Sequence, residues 1–226
     1  MKRSEVNAAL KWAMSLLDKT GIHLPDMAHW TMDEWARNRN RMDTVSRLML
    51  GWDITDFGTG VFDQTGAVLY TVRNGSAEDP SLGVPYCEKL ILMKNGQHLP
   101  QHYHVFKTED IICRAGGPLE VKLWNADPSG NGVQKTDVRV FMDGFPYVFK
   151  AGEPILVTEG NSISLTPYLA HIFGPAENAG DTVIGEVSKV NDDRTDNYFL
   201  EPTARFADIE EDEQAIVPLC NEYERL

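Results

Sequence analysis

The stretch GQHLPQHYHVFKTEDIICRAG, residues 96–116, carries the pattern that decides how the chain folds. His102 and His104 stand two apart. On a strand, where side chains alternate between faces, both imidazoles project the same way and reach one small cation. Glu109 follows on the next turn or strand, and glycines stand at both ends, Gly96 and Gly116. A histidine pair at this spacing is common by itself, in cores and on surfaces alike. The informative feature is the whole set of intervals: five residues between Gly96 and His102, one before His104, four before Glu109 and six before Gly116.

Outward from this stretch, from about Gly66 to about Asn191, short strand-like runs are separated by turn residues. The runs are 67–73, 88–94, 102–106, 119–124, 138–142, 147–150, 155–158, 162–165 and 182–190. Leu119, Val121 and Leu123 alternate with polar neighbours as a half-buried strand does, and Asp143-Gly144 is a hairpin turn signal. Many short antiparallel strands imply a sandwich or a barrel. The first fifty residues read differently. Val6, Leu10, Ala13 and Leu17 recur at helical spacing with Gly21 as the cap. Thr31 and Glu34 have the capping-box spacing for a second helix, with Trp35, Val45, Leu48 and Leu50 as its apolar surface. The expected organisation is a helical extension over 1–60 and an all-β domain over 61–226, closing in an acidic segment whose run Glu210-Glu211-Asp212-Glu213 reads as solvated.

The chain has 226 residues, with 21 Lys+Arg against 34 Asp+Glu and a net charge of −13. That charge repels phosphate backbones and anionic lipid, and no basic patch offsets it, so neither nucleic acid nor a membrane is an expected partner. No run of about 18 apolar residues occurs, and the N-terminus lacks the apolar core of a signal peptide. Cys87, Cys113 and Cys220 form neither a disulfide framework nor a zinc ribbon, which suits reduced thiols and a cytoplasmic location. A neutral small molecule is the easiest ligand to admit.

The five intervals resemble the first metal-binding motif of the cupin superfamily, which implies a double-stranded β-helix (jelly-roll) barrel. The second motif of that superfamily supplies another histidine after a glycine and a proline, and Gly160, Pro167 and His171 follow that order. Here Pro167 stands one residue closer to His171, Tyr168 or Leu169 replaces the glycine between them, and Pro175 stands at the later asparagine. Three imidazoles and a carboxylate, from His102, His104, His171 and Glu109, leave two positions of an octahedron open and suit Mn²⁺, Fe²⁺, Co²⁺, Ni²⁺ or Zn²⁺. A structural metal is normally closed, often by cysteine, so this donor set points to a catalytic ion.

Beyond the motif, MKRSEVNAAL, HLPDMAHWTMDEW, GWDITDFGTG, HYHVFKTEDIICRAGG and GEVSKVNDDRTDN resemble the D-lyxose isomerase family of bacterial sugar isomerases over nearly the whole chain. The resemblance implies an intracellular Mn²⁺-dependent homodimer that interconverts D-lyxose with D-xylulose, and often D-mannose with D-fructose. Such a reaction moves hydrogen between C1 and C2, and needs a Lewis acid for the carbonyl and a group that shuttles a proton through a cis-enediolate.

Glu186, inside the apolar run 183–187, is the first choice as base; the competing reading is a buried ion pair with Arg205 or Lys89. Lys107 is either a hydrogen-bond donor to a sugar oxygen or a solvated surface lysine. Lys89, Asp193, Asp196 and Arg205 are the candidates for binding substrate, with Asn197 beside them. His23, His29 and His98 are read as structural, and Trp30, Trp35 and Trp52 as packing residues. Two other readings share the motif: an Fe²⁺ cupin dioxygenase, and a sugar-binding module without catalysis.

Overall fold

The computed structural model describes residues 1–130, 132–192 and 195–225. Helix α1 (Arg3–Thr20) forms because Val6, Leu10, Ala13 and Leu17 return every three to four residues as one buried stripe. Gly21 ends it in the left-handed conformation, φ 69°. The stripe packs on Trp52, Ile54, Val68, Tyr70, Leu92 and Val183. Burial of Leu10 alone stabilises this contact by about 1.5–3 kcal/mol.

Thr31 and Glu34 make the expected reciprocal cap: the Glu34 N–H donates to Thr31 Oγ1 at 3.3 Å and the Thr31 N–H to Glu34 Oε2 at 2.8 Å. The helix they start, α2 (Met32–Arg37), is short. The Asn38 side chain donates to the Glu34 carbonyl at 2.9 Å and competes with the backbone ladder. A 3₁₀ turn (Arg39–Arg41) and α3 (Asp43–Arg47) follow, so residues up to Leu50 form two short helices rather than one.

The sheet begins earlier than residue 61. Gly51–Thr55 is a strand, β1, buried at all five positions and paired antiparallel with β2 (Ala67–Gly75) from Gly51↔Thr71 to Thr55↔Ala67. Trp52 and Ile54 join the helix-facing core while Asp53 and Thr55 take the other face, so the strand is covered on both sides. That corrects the helical reading of 1–60 at its C-terminal end.

The remaining strands are β3 (Gly83–Met93), β4 (His102–Tyr103), β5 (Glu109–Gly116), β6 (Leu119–Asn125), β7 (Val138–Met142), β8 (Phe145–Phe149), β9 (Ile155–Val157), β10 (Ser162–Leu165), β11 (Leu169–Pro175), β12 (Thr182–Lys189) and β13 (Tyr198–Phe199). They make two antiparallel sheets, ordered β1-β2-β3-β12-β5-β10-β7-β8 and β13-β4-β11-β6-β9. Between them lies a core that includes Ile91, Met93, Ile111, Leu123, Ile163, Phe173 and Ile184. This is the expected all-β jelly-roll barrel with an N-terminal helix. Strands β5, β11 and β13 lie outside the expected runs. In β11 every residue but Ile172 is buried, so no polar alternation marks it, and β13 is two residues long. Gly116 ends β5 at φ 92°, where a Cβ would fall 2.2 Å from the Asp181 carbonyl oxygen, so only glycine fits.

The acidic C-terminal run is not simply solvated. Glu211 accepts from Arg3 Nε at 2.8 Å and Nη2 at 2.7 Å, and Asp212 accepts from the Ser4 N–H at 2.8 Å and its hydroxyl at 2.7 Å. Glu213 accepts from Asn7 Nδ2 at 2.6 Å, and buried Arg3 also pairs with Glu222. At the positive end of α1 the Asp212 carboxylate thus satisfies the Ser4 N–H, the Glu210 carbonyl satisfies the Arg3 N–H, and the acidic run complements the helix dipole. Farther on, the Cys220 N–H donates to the Trp52 carbonyl at 2.7 Å, so the returning chain covers the β1 edge.

Candidate metal centre and substrate cavity

His102 sits on β4 and His171 on β11, and the two are a directly opposed pair in that ladder. Glu109 opens β5 in the facing sheet, and His104 lies in the connection between β4 and β5. The ligand atoms of the three histidines lie within 4.8 Å of one another. Glu109 Oε1 stands 3.4 Å from both His104 Nε2 and His171 Nε2. All four side chains are buried.

Each imidazole is held from behind by a backbone carbonyl at Nδ1: His102 by Pro100 at 2.8 Å, His104 by Asp196 at 2.5 Å and His171 by Leu169 at 2.9 Å. A carbonyl only accepts, so each Nδ1 carries the proton and each neutral ring presents a lone pair at Nε2. The His102 and His171 Nε2 atoms are 3.1 Å apart. Two lone pairs at that distance repel unless a cation or a proton lies between them. Burial, reinforced by the neighbouring imidazoles, pushes the His102 pKa well below its ordinary value. Burial likewise pushes His171 down to about 4. Both shifts disfavour a proton between the two rings and leave the Nε2 lone pairs available to a cation. His104 Nε2, buried and without a hydrogen-bond partner among the described residues, aims at the same point. For Glu109, burial works against ionisation, but the carboxyl is held well below the usual carboxylate range, the Lys107 ammonium being the largest cause that lowers it. A carboxylate and three imidazoles held from behind at Nδ1 fit a divalent transition metal.

Beside this cluster a small cavity of roughly 50 Å³, partly open to solvent, runs between the sheets. Thr55, Leu69, Lys89, Ile91 and Glu186 line it from one sheet and His102, Phe173 and Phe199 from the other. Lys107 bridges cluster and cavity: its Nζ lies 2.7 Å from Glu109 Oε2, 3.2 Å from Glu186 Oε1 and 3.2 Å from Asn191 Oδ1. It is 5% exposed, so the solvated alternative does not hold. Glu186 faces Lys89 across β12 and β3, with Lys89 Nζ 3.8 Å from Glu186 Oε1, and also accepts from the Ser188 hydroxyl at 3.3 Å.

Arg205 lines the cavity, but its salt bridge is to Asp53 at 2.8 Å, not to Glu186. Asp196 lies behind the histidine segment instead of in the cavity wall, its carboxylate taken up by backbone N–H groups. That corrects its reading as a sugar contact, whereas its neighbour Asn197 does line the cavity. Asp193 lies outside the described residues. His23, His29 and His98 are exposed and away from the cluster, and Trp30, Trp35 and Trp52 are absent from the cavity wall. The sequence reading missed Asp53 and Asn191. Asp53 had a signal, a lone carboxylate in the buried run of β1; Asn191 had none.

Comparisons with known proteins bear on the family and the fold. A family model described as D-lyxose isomerase matches residues 1–223. A D-lyxose/D-mannose isomerase of Escherichia coli O157:H7 is 41% identical over 224 residues, 99% of this chain and 98% of that protein. One of Serratia proteamaculans is 42% identical over 226 residues, 100% of this chain and 99% of the relative. Among solved structures, the L-ribose isomerase of Acinetobacter sp. DL28 in complex with L-ribose superposes with a TM-score of 0.59, 17% identity, and coverage of 89% of this chain and 93% of that one. The L-ribose isomerase of Geodermatophilus obscurus gives 0.52 at 17% identity, covering 93% and 98%. At such identities these two structures bear on the fold alone.

Proposed function

The chain belongs to the D-lyxose isomerase family, and from that premise we propose that it is an aldose-ketose isomerase that interconverts D-lyxose with D-xylulose and D-mannose with D-fructose. His102, His104, His171 and Glu109 would hold one divalent ion, Mn²⁺ in this reading. When bound, the ion supplies Lewis acidity to the carbonyl end of an open-chain sugar.

The chain's own groups then account for the proton movements. Glu186 takes the proton from C2 of the aldose, the C2–H electron pair becomes the C1–C2 double bond, and the carbonyl pair moves to O1, which takes a proton to give a cis-enediol. Glu186, its proton exchanged with solvent, then protonates C1 while the O2 hydroxyl loses its proton to form the C2 carbonyl, with Lys107 as the donor at O1 and the acceptor at O2. Lys107 suits this task because its ammonium contacts Glu186 and Glu109 at once. Lys89, Asn197 and Arg205, held by Asp53, line the cavity where the remaining hydroxyls would lie. Phe173 and Phe199 give the sugar's C–H faces an apolar wall and exclude water from the enediol.

The observation that carries the reading is the convergence of three Nε2 lone pairs and Glu109 next to a second buried carboxylate, with one lysine between the two acids. The reading extends to a cytoplasmic homodimer. Its support is the apolar surface of the β7–β8 hairpin, where Phe141, Phe145 and Val148 are 52%, 68% and 60% exposed, together with the buried thiols of Cys87, Cys113 and Cys220. No helix among the described residues is long and apolar enough to cross a membrane.

The test is an assay of metal-stripped protein, re-supplied with Mn²⁺, on a panel of aldoses in D₂O, with and without dissolved oxygen. D-Lyxose and D-mannose should be converted in both atmospheres, with deuterium appearing at C1 of the ketose. Oxygen-dependent turnover would favour a dioxygenase, and absence of turnover with every divalent ion would leave a binding module.

A further inference from the structure

Residues 104–108 connect β4 to β5 and carry both His104 and Lys107, yet the connection has no strand ladder of its own. Asp196 takes the place of one. Its Oδ1 accepts from the Val105 N–H at 2.8 Å and the Phe106 N–H at 3.1 Å. Its Oδ2 accepts from Phe106 at 3.2 Å and from the Lys107 N–H at 2.8 Å. Its backbone carbonyl accepts from His104 Nδ1 at 2.5 Å. Three successive N–H groups around a carboxylate make an anion nest, and charge-assisted bonds of this kind offset the cost of burying Asp196, which is 8% exposed. One residue, about 90 positions away in the chain, thus sets the backbone of the connection with its side chain and the His104 ring with its main chain.

We propose that Asp196 is a positioning residue for the metal centre: it touches neither ion nor sugar, but fixes His104 and Lys107 so that both aim into the cavity. The assignment rests on the metal-centre reading above. An asparagine of the same size would turn one acceptor into an N–H₂ facing the Phe106 and Lys107 N–H groups, so Asp196→Asn should loosen the connection without emptying the space.

The experiment is Mn²⁺ titration by calorimetry of metal-stripped wild type, Asp196→Asn and Asp196→Ala, together with amide hydrogen exchange. Both variants should bind Mn²⁺ about 10- to 100-fold more weakly, the usual effect of losing a partner behind a ligand. Their loss of Tm relative to wild type should be larger with Mn²⁺ than with EDTA. The Val105, Phe106 and Lys107 amides should exchange slowly in wild type and fast in Asp196→Asn. A folded variant whose Mn²⁺ affinity stays within about twofold of wild type, where the usual loss is tenfold or more, would overturn the assignment alone. A wild type that takes up no Mn²⁺ would overturn the metal reading and this assignment with it. If neither variant folds, wild-type exchange decides: protected amides at 105–107 support the assignment, and unprotected ones defeat it.

Discussion

His102 and His171, 69 positions apart in sequence, oppose each other across the β4–β11 ladder with their Nε2 atoms 3.1 Å apart. Both rings donate from Nδ1 to carbonyls, so the contact brings two lone pairs together. Chelation should therefore cost stability as well as activity. At an ion concentration of about 100 times the dissociation constant, the bound metal contributes about 2.7 kcal/mol. At about 2–4 °C per kcal/mol for a chain of this size, that predicts a Tm about 5–10 °C lower in EDTA. Differential scanning calorimetry with EDTA and then Mn²⁺ checks it, and an unchanged Tm would count against a bound ion.

Glu186→Gln keeps the shape of the side chain and removes its basicity. Loss of a general base costs about 10²–10⁴ in rate. The variant should lose kcat in that range while binding Mn²⁺ as wild type does, because Glu186 is outside the four-residue cluster. Turnover of D-lyxose and metal content by elemental analysis measure the two effects separately, and unchanged kcat would remove Glu186 from the mechanism.

Lys107 balances two buried carboxylates, so Lys107→Met leaves both Glu109 and Glu186 without its ammonium. Removing one partner of a buried ion pair costs about 3–5 kcal/mol. The double variant Lys107→Met/Glu186→Gln should recover part of that loss, since one of the stranded charges is gone. Urea unfolding of the two singles and the double gives the coupling; strict additivity would mean that Lys107 and Glu186 do not interact.

The attachment of the C-terminal segment to α1 should fail in acid. The Arg3 hydrogen bond holds the Glu211 carboxyl below its ordinary value, and the Ser4 hydrogen bonds do the same for Asp212. Folded pKa values below the unfolded ones mean that the folded state binds fewer protons, so this stabilisation is present above the unfolded pKa and is lost as pH falls through the folded one. Hydrogen exchange of residues 208–214 should accelerate below about pH 4 while β5 stays protected. Release on raising the pH instead would reverse the sign and refute the account.

Phe145→Glu, on the exposed edge strand β8, should dissociate the proposed dimer without unfolding the chain, because Phe145 is 68% exposed. Sedimentation velocity should move from twice the chain mass to 25.4 kDa. A wild type that already sediments at the single-chain mass would refute the dimer.

Much of this protein is legible in one dimension. The shared face of His102 and His104 follows from strand periodicity, because the alternation of side chains along a strand is a local property. The stripe of Val6, Leu10, Ala13 and Leu17 likewise specifies α1 through the helical repeat. What stayed hidden depends on pairing between distant segments. Strand β11 lacks a useful signal because cover on both faces removes the alternation that marks a half-buried strand, and the Trp52-Asp53-Ile54-Thr55 alternation of β1 spans only four residues. Lys107 and Asp196 are ordinary polar residues in sequence. Only the closing of the barrel decides that one lies between two buried acids and the other lies under three backbone N–H groups. Local periodicity thus indicated the leading helix and an all-β sandwich or barrel, and the resemblance of the Gly96–Gly116 intervals to a known metal-binding motif pointed to the donor set. Tertiary structure decided which charges meet, since a carboxylate's role is set by the partner that register and packing bring within about 3 Å, and no local rule encodes that partner.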